Sequence, residues 1–152
     1  MPETSAVAAL LTPVLACVAA YIAWRQWVTA NNKVKLDLFD KRYRIFAEIR
    51  TLLSGVMQNA SLSLDQLLIF KSSVCDASFL FGSDVSLYIE DIYKHGVELT
   101  TASSQLRDPT DYLTTEERKD LAHTVRLEIE WFSDQFEILP RLFSRYLDLS
   151  KL

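Results

Sequence analysis

Residues 4–24 form 21 consecutive uncharged positions, and no other feature of this chain restricts its folding so tightly. Wound as an α-helix at about 1.5 Å per residue, the run spans roughly 31 Å, which matches a bilayer core of about 30 Å. No polar stripe interrupts it, so it does not suit a helix half-exposed to water. Tyr21, Trp24 and Trp27 cluster at one end, where amphipathic rings favour the headgroup zone. Basic residues follow at that same end. The positive-inside rule then places the N-terminal end outside and residues 25–152 in the cytoplasm. A cleaved signal peptide would need a basic n-region and a shorter apolar stretch, whereas the only charge ahead of this run is Glu3. The sequence thus predicts a transmembrane anchor over residues 1–27 and a cytoplasmic domain over residues 28–152. Ala16 with Ala20, and Ala19 with Ala23, repeat small residues at a spacing that lets membrane helices approach closely. Pro13 predicts a mild kink.

The charge pattern agrees with this division. Residues 25–50 carry seven basic residues (Arg25, Lys33, Lys35, Lys41, Arg42, Arg44, Arg50) against Asp37, Asp40 and Glu48. Residues 51–152 carry nine basic and sixteen acidic residues. A basic collar ahead of an acidic body fits a segment facing anionic lipid. It argues against nucleic acid as a partner of the distal domain, because phosphate backbones are held mainly by Lys and Arg.

The distal domain reads as all-α. With three glycines and four prolines the chain lacks the turn residues an all-β fold requires. Leu36, Phe39, Tyr43, Phe46, Ile49, Leu53 and Val56 step by three or four, the period of one helix face, and Leu38, Ile45 and Leu52 widen it. Ser63 with Gln66 forms a capping box that starts a second helix carrying Leu64, Leu67, Leu68 and Val74. That helix is expected to run to about Phe81, with Gly82 as a left-handed cap. A third begins at Ser83 or Asp84, presents Val85, Tyr88, Ile89, Ile92 and Tyr93, and fades through Gly96 into the polar stretch Thr100–Ser104. Residues 107–111 read as a loop. Thr114 and Glu117 form a second capping box, ahead of Leu121, Val125, Ile129, Phe132, Phe136, Leu139 and Phe143. Pro140 predicts a kink or a short final helix over residues 141–149. Four amphipathic helices with one apolar face each make an antiparallel bundle.

Little chemistry is written into these helices. No glycine-rich phosphate loop, metalloprotease motif, nucleophile elbow or EF-hand loop occurs. Cys17 and Cys75 belong to no CxxC pair or zinc spacing and are expected to be buried, reduced thiols. Glu130, Asp134 and Glu137 share a helix face but lie off the apolar stripe, which suits a solvated acidic face better than a cation site. No catalytic, cofactor or metal residue is assigned on this reading.

Two resemblances go further. Arg118-Lys119-Asp120-Leu121-Ala122-His123 has the R-x4-H spacing of HEPN ribonucleases, which are small helical bundles. The resemblance implies an Arg and a His meeting at a dimer cleft to attack RNA at its 2′-hydroxyl. Along one helix the two side chains stand about 140° apart, and Lys119 replaces the small polar or acidic residue that the family favours. Over nearly the whole chain, the transmembrane segment, Lys35-Leu36-Asp37-Leu38-Phe39-Asp40-Lys41-Arg42-Tyr43, Ala77-Ser78-Phe79-Leu80-Phe81-Gly82 and Tyr146-Leu147-Asp148-Leu149 resemble a bacterial family of small membrane-anchored proteins without assigned activity. That likeness implies a bacterial inner-membrane location. Membrane-anchored HEPN-like accessories of RNA-targeting CRISPR systems share the layout. The expectation is a membrane-tethered helical interaction module without enzymatic activity, partnered by lipid and by another protein or a second copy. The alternative is a HEPN-like defence effector, acting as an RNase or a membrane-disrupting oligomer.

Overall fold

The computed structural model describes residues 3–108 and 113–148, with side chains described from residue 13 onward. All regular structure among these residues is helical: α1 Glu3–Asn59, α2 Leu64–Ser73, α3 Ala77–Leu80, α4 Ser83–Arg107 and α5 Thr115–Ser144. The chain divides into two compact units, one reaching Leu38 and one starting at Phe39, and α1 contributes to both.

In the first unit α1 continues through Pro13. Val14, Leu15, Val18, Tyr21, Ile22, Trp24 and Trp27 are all exposed, on every side of the helix. Among the described residues no helix is long and apolar enough to cross a membrane. The side chains of residues 4–12, the first part of the uncharged run, lie outside that set.

The second unit is a bundle. Burial on α1 begins at Ile45 and continues through Ile49, Leu52, Leu53 and Val56, while Leu36 and Tyr43 stay exposed. The expected face is thus buried from Ile45 onward, with Phe46 packed against the core, and only its earlier members Leu36 and Tyr43 face outward. Asn59 ends α1 with its side-chain amide donating to the Gly55 carbonyl, and Ala60 takes a left-handed φ of 47° to turn the chain. Ser63 and Gln66 close the capping box in both directions, as the sequence predicts. Leu67, Phe70 and Val74 face inward, whereas Leu64 and Leu68 are exposed. The helix is shorter than expected: it stops at Ser73, and α3 is a separate single turn.

Two glycines act differently from the sequence expectation. Gly82 is extended (φ −76°, ψ 175°) and is the N-cap of α4, not a left-handed C-cap. Gly96 does not weaken α4, which runs on to Arg107. A Cβ on Gly96 would stand 2.7 Å from Leu67 Cδ1 and 3.2 Å from Leu62 Cδ2, so the missing side chain lets α2 lie close. The polar stretch beyond it is helical too, with Thr100, Thr101, Ser103 and Ser104 donating their hydroxyls to carbonyls three or four residues back, which satisfies those side chains without breaking the helix. Asp108 caps α4, and residues 109–111 of the expected loop lie outside the described residues.

Thr114 and Glu117 form the expected capping box of α5. The helix passes through Pro140 to Ser144, so no separate final helix follows within the described residues. Its buried line is Glu128, Phe132, Gln135, Leu139 and Phe143. Phe136 is 38% exposed, which corrects its expected place in the core. Reading for apolar residues alone steps around Gln135 and Glu128 to their neighbours Phe136 and Ile129. His95 meeting Glu128, and Asp84 meeting Arg145, set α4 and α5 antiparallel. Leu67 against Gly96 and Lys71 over the Tyr93 ring set α2 antiparallel to α4, and Phe46 against Phe143 brings the start of α1's bundle segment to the end of α5. The result is an up-down-up-down arrangement of residues 39–59, α2, α4 and α5.

Candidate functional site

The α4–α5 pair carries two polar clusters at different levels. At the outer level, Asp84 and Arg145 form an ion pair, and the Tyr146 hydroxyl donates to Asp84 Oδ1 at 2.8 Å. The Gly82 amide donates to that same hydroxyl at 3.1 Å. Arg42 of α1 reaches in from the other side. Its Nε donates to the Leu80 carbonyl at 3.0 Å and its Nη1 to the Tyr146 carbonyl at 3.2 Å. The guanidinium also lies 5.5 Å from the Tyr146 ring centroid and 5.9 Å from that of Phe81. A planar fork that donates to two carbonyls while stacking on rings is a task for Arg and not Lys. The three chain segments singled out in the sequence, around Arg42, Phe81 and Tyr146, thus meet in one knot. Burial pushes the Asp84 carboxyl up, but the Tyr146 hydroxyl and Arg145 outweigh it and hold the group below its ordinary value.

The inner level is less well compensated. His95 Nδ1 and Glu128 Oε2 are 2.7 Å apart, close enough to share one proton. Glu128 is almost fully buried, at 7% exposure, and His95 is half-buried. The imidazole stacks on Trp131, with ring centroids 3.7 Å apart and planes at 18°. Glu98, one turn beyond His95, brings a second carboxyl against Glu128. Burial pushes Glu128 above the usual carboxylate value; His95 pulls it down, the Glu98 carboxyl pushes it up again, and the balance is a rise. The Tyr88 hydroxyl, two turns back on α4, is buried with no hydrogen-bond partner among the described residues, and burial pushes its phenol up.

No protein-family model, characterised protein or solved structure matches this chain. The sites must therefore be judged on their own geometry.

The residues named from sequence lie elsewhere. Arg118 and His123 are both exposed on the first turns of α5. Glu130 pairs with Arg126 and Glu137 with Arg141, each one turn away on the water-facing side, and Asp134 is exposed. Cys17 and Cys75 are free thiols but both are exposed, which corrects their expected burial. Cys75 sits exposed in the turn between α2 and α3, with its Sγ 3.7 Å from Asp76 Oδ1. The inner cluster had one local signal, a His and a Glu at i,i+3 on a helix. Its third member is 33 residues from His95 and joins only through the antiparallel pairing of α4 with α5.

Proposed function

We propose that this chain is a membrane-tethered helical interaction module: residues 1–27 anchor it in a bacterial inner membrane, and residues 28–152 form a cytoplasmic bundle without enzymatic activity. The observation that carries this reading is the uncharged run over residues 4–24, closed on one side only by Trp24, Trp27 and a basic collar. The exposed apolar residues from Val14 to Trp27 add support, since a lone helix with apolar groups on every side needs an apolar phase to cover it. Lipid supplies that phase, and a second copy is the partner that the Ala16/Ala20 and Ala19/Ala23 spacing fits.

A reporter fused after Leu152 tests the topology. Activity confined to a cytoplasmic reporter is the expected result. Activity of a periplasmic reporter at that position, or a mature chain starting near residue 25, would overturn the anchor. A chain recovered from the soluble fraction at full length would overturn it as well.

A further inference from the structure

His95, Glu98 and Glu128 present one imidazole nitrogen and two carboxylates whose ligand atoms all lie within 4.8 Å of one another. Three ligands around a tetrahedral ion at bond lengths of about 2.0–2.1 Å stand about 3.3 Å apart, so the observed spacing needs only small movements. Glu98 is exposed and has the freedom to make them. His95 does not: its ring plane is fixed against Trp131, and its Nδ1 already points at Glu128. Charge gives a second reason. A histidine pairs adequately with one carboxylate, yet here a second one crowds the same buried oxygen pair. Among the described residues no Lys or Arg pairs with Glu98 or Glu128, and the nearby Lys94 turns to Glu90 and Asp91 instead. With the imidazole neutral, the three groups carry a charge of about −2, which one divalent ion cancels. One nitrogen and two carboxylates suit zinc and its first-row neighbours better than magnesium, which prefers an all-oxygen shell.

We infer that His95, Glu98 and Glu128 bind a single divalent transition-metal ion that braces α4 to α5. Three protein ligands would leave a fourth position for water or a partner side chain, and neither His95 nor Glu98 is fully buried. This inference is independent of the membrane reading, because all three ligands belong to the bundle.

The test uses the full chain in detergent, stripped with a chelator and titrated with zinc chloride, magnesium chloride or cobalt chloride. Zinc is expected to bind one per chain and to raise the melting temperature, whereas magnesium at the same concentration leaves it unmoved. Cobalt is expected to give visible absorption of a nitrogen- and oxygen-ligated ion. Glu98→Gln removes an exposed ligand and with it the carboxyl that crowds Glu128, so the metal-free variant should melt no lower than the parent, while zinc affinity falls at least about tenfold. His95→Gln should lower it further. Absence of zinc binding, equal stabilisation by magnesium, or affinity unchanged in both variants would each overturn the site. A thiolate charge-transfer band with cobalt would place the ion on cysteine and overturn it too.

Discussion

The outer and inner clusters of the α4–α5 pair are built from similar groups and are left in opposite electrostatic states. Asp84 is surrounded by donors: Arg145, the Tyr146 hydroxyl and a nearby backbone amide. Its charge is welcome. Glu128 is surrounded by protein and a second carboxyl, with one imidazole as its compensation. Its charge is not. The outer cluster closes the end of the bundle, where the segments around Arg42 and Leu80 converge on Tyr146. The inner one stores an unbalanced charge at the helix interface, where a structural role alone would have been served by an apolar residue.

The largest expected effects test whether that difference is confined to polar groups. Beneath the outer cluster, Phe143 packs on Phe81 at 5.0 Å and on Phe46 at 5.6 Å. Beneath the inner one, Phe132 meets the Trp131 ring edge-on at 5.2 Å. Both are fully buried. Phe143→Ala and Phe132→Ala should each cost about 3–5 kcal/mol in chemical denaturation, since both leave large cavities. Phe136→Ala should cost clearly less, because that ring is already 38% exposed. A large loss at Phe136 with little at Phe132 would mean that α5 is rotated and that the inner cluster does not exist as described.

These rings also show what the sequence could reveal. Both capping boxes were legible because Ser63 with Gln66 and Thr114 with Glu117 act within four residues of chain. The helical class followed from periodicity. Less legible was the facing of α5, because its inward line passes through Glu128 and Gln135, which a search for apolar residues rejects. Gly82 and Gly96 depart from the sequence expectation for a common reason. Each is required by a distant side chain and not by its own backbone: a Cβ on Gly82 would stand 2.8 Å from the Tyr146 hydroxyl. Arg42 read as one cation among seven, and nothing local marked it as the one that reaches Leu80 and Tyr146.

A pH series sharpens the comparison directly, with chelator present to exclude metal. Glu128 is raised in the folded protein, so its contribution to stability is full below the ordinary Glu value of 4.5 and is lost as pH rises through the folded value. Asp84 is lowered, so its contribution is present above the ordinary Asp value of 3.8 and is lost as pH falls through the folded value. Glu128→Gln should therefore gain on the parent as pH rises from about 4.5 toward neutrality, because glutamine never has to ionise. Asp84→Asn should do the reverse, costing stability at neutral pH and approaching the parent in acid. Melting temperatures measured from a pH well below 3.8 up to neutrality read both. Parallel curves for the two variants would erase the contrast between the clusters.

The smallest expected effect belongs to Arg118 and His123, the one pair for which a reaction can be named by resemblance. Both are exposed, unlike His95, whose ring is held against Trp131 and whose nitrogen meets a buried acid. A catalytic histidine must be held at a fixed distance from its substrate, and among the described residues no hydrogen bond or ring contact holds His123. On stability, His123→Ala and Arg118→Ala should stay within about ±0.5 kcal/mol, as expected for surface changes away from caps and ion pairs. On activity the separation is wider, since general acid–base assistance is worth about 10²–10⁴ in rate. If the pair is incidental, the purified full chain shows no RNA cleavage that depends on either residue. A folded His123→Ala protein that lost a measured RNase activity about a hundredfold would move the centre of function from the α4–α5 interface to the exposed first turns of α5. It would also demand a second copy to complete the site, because two side chains about 140° apart on one helix cannot converge alone.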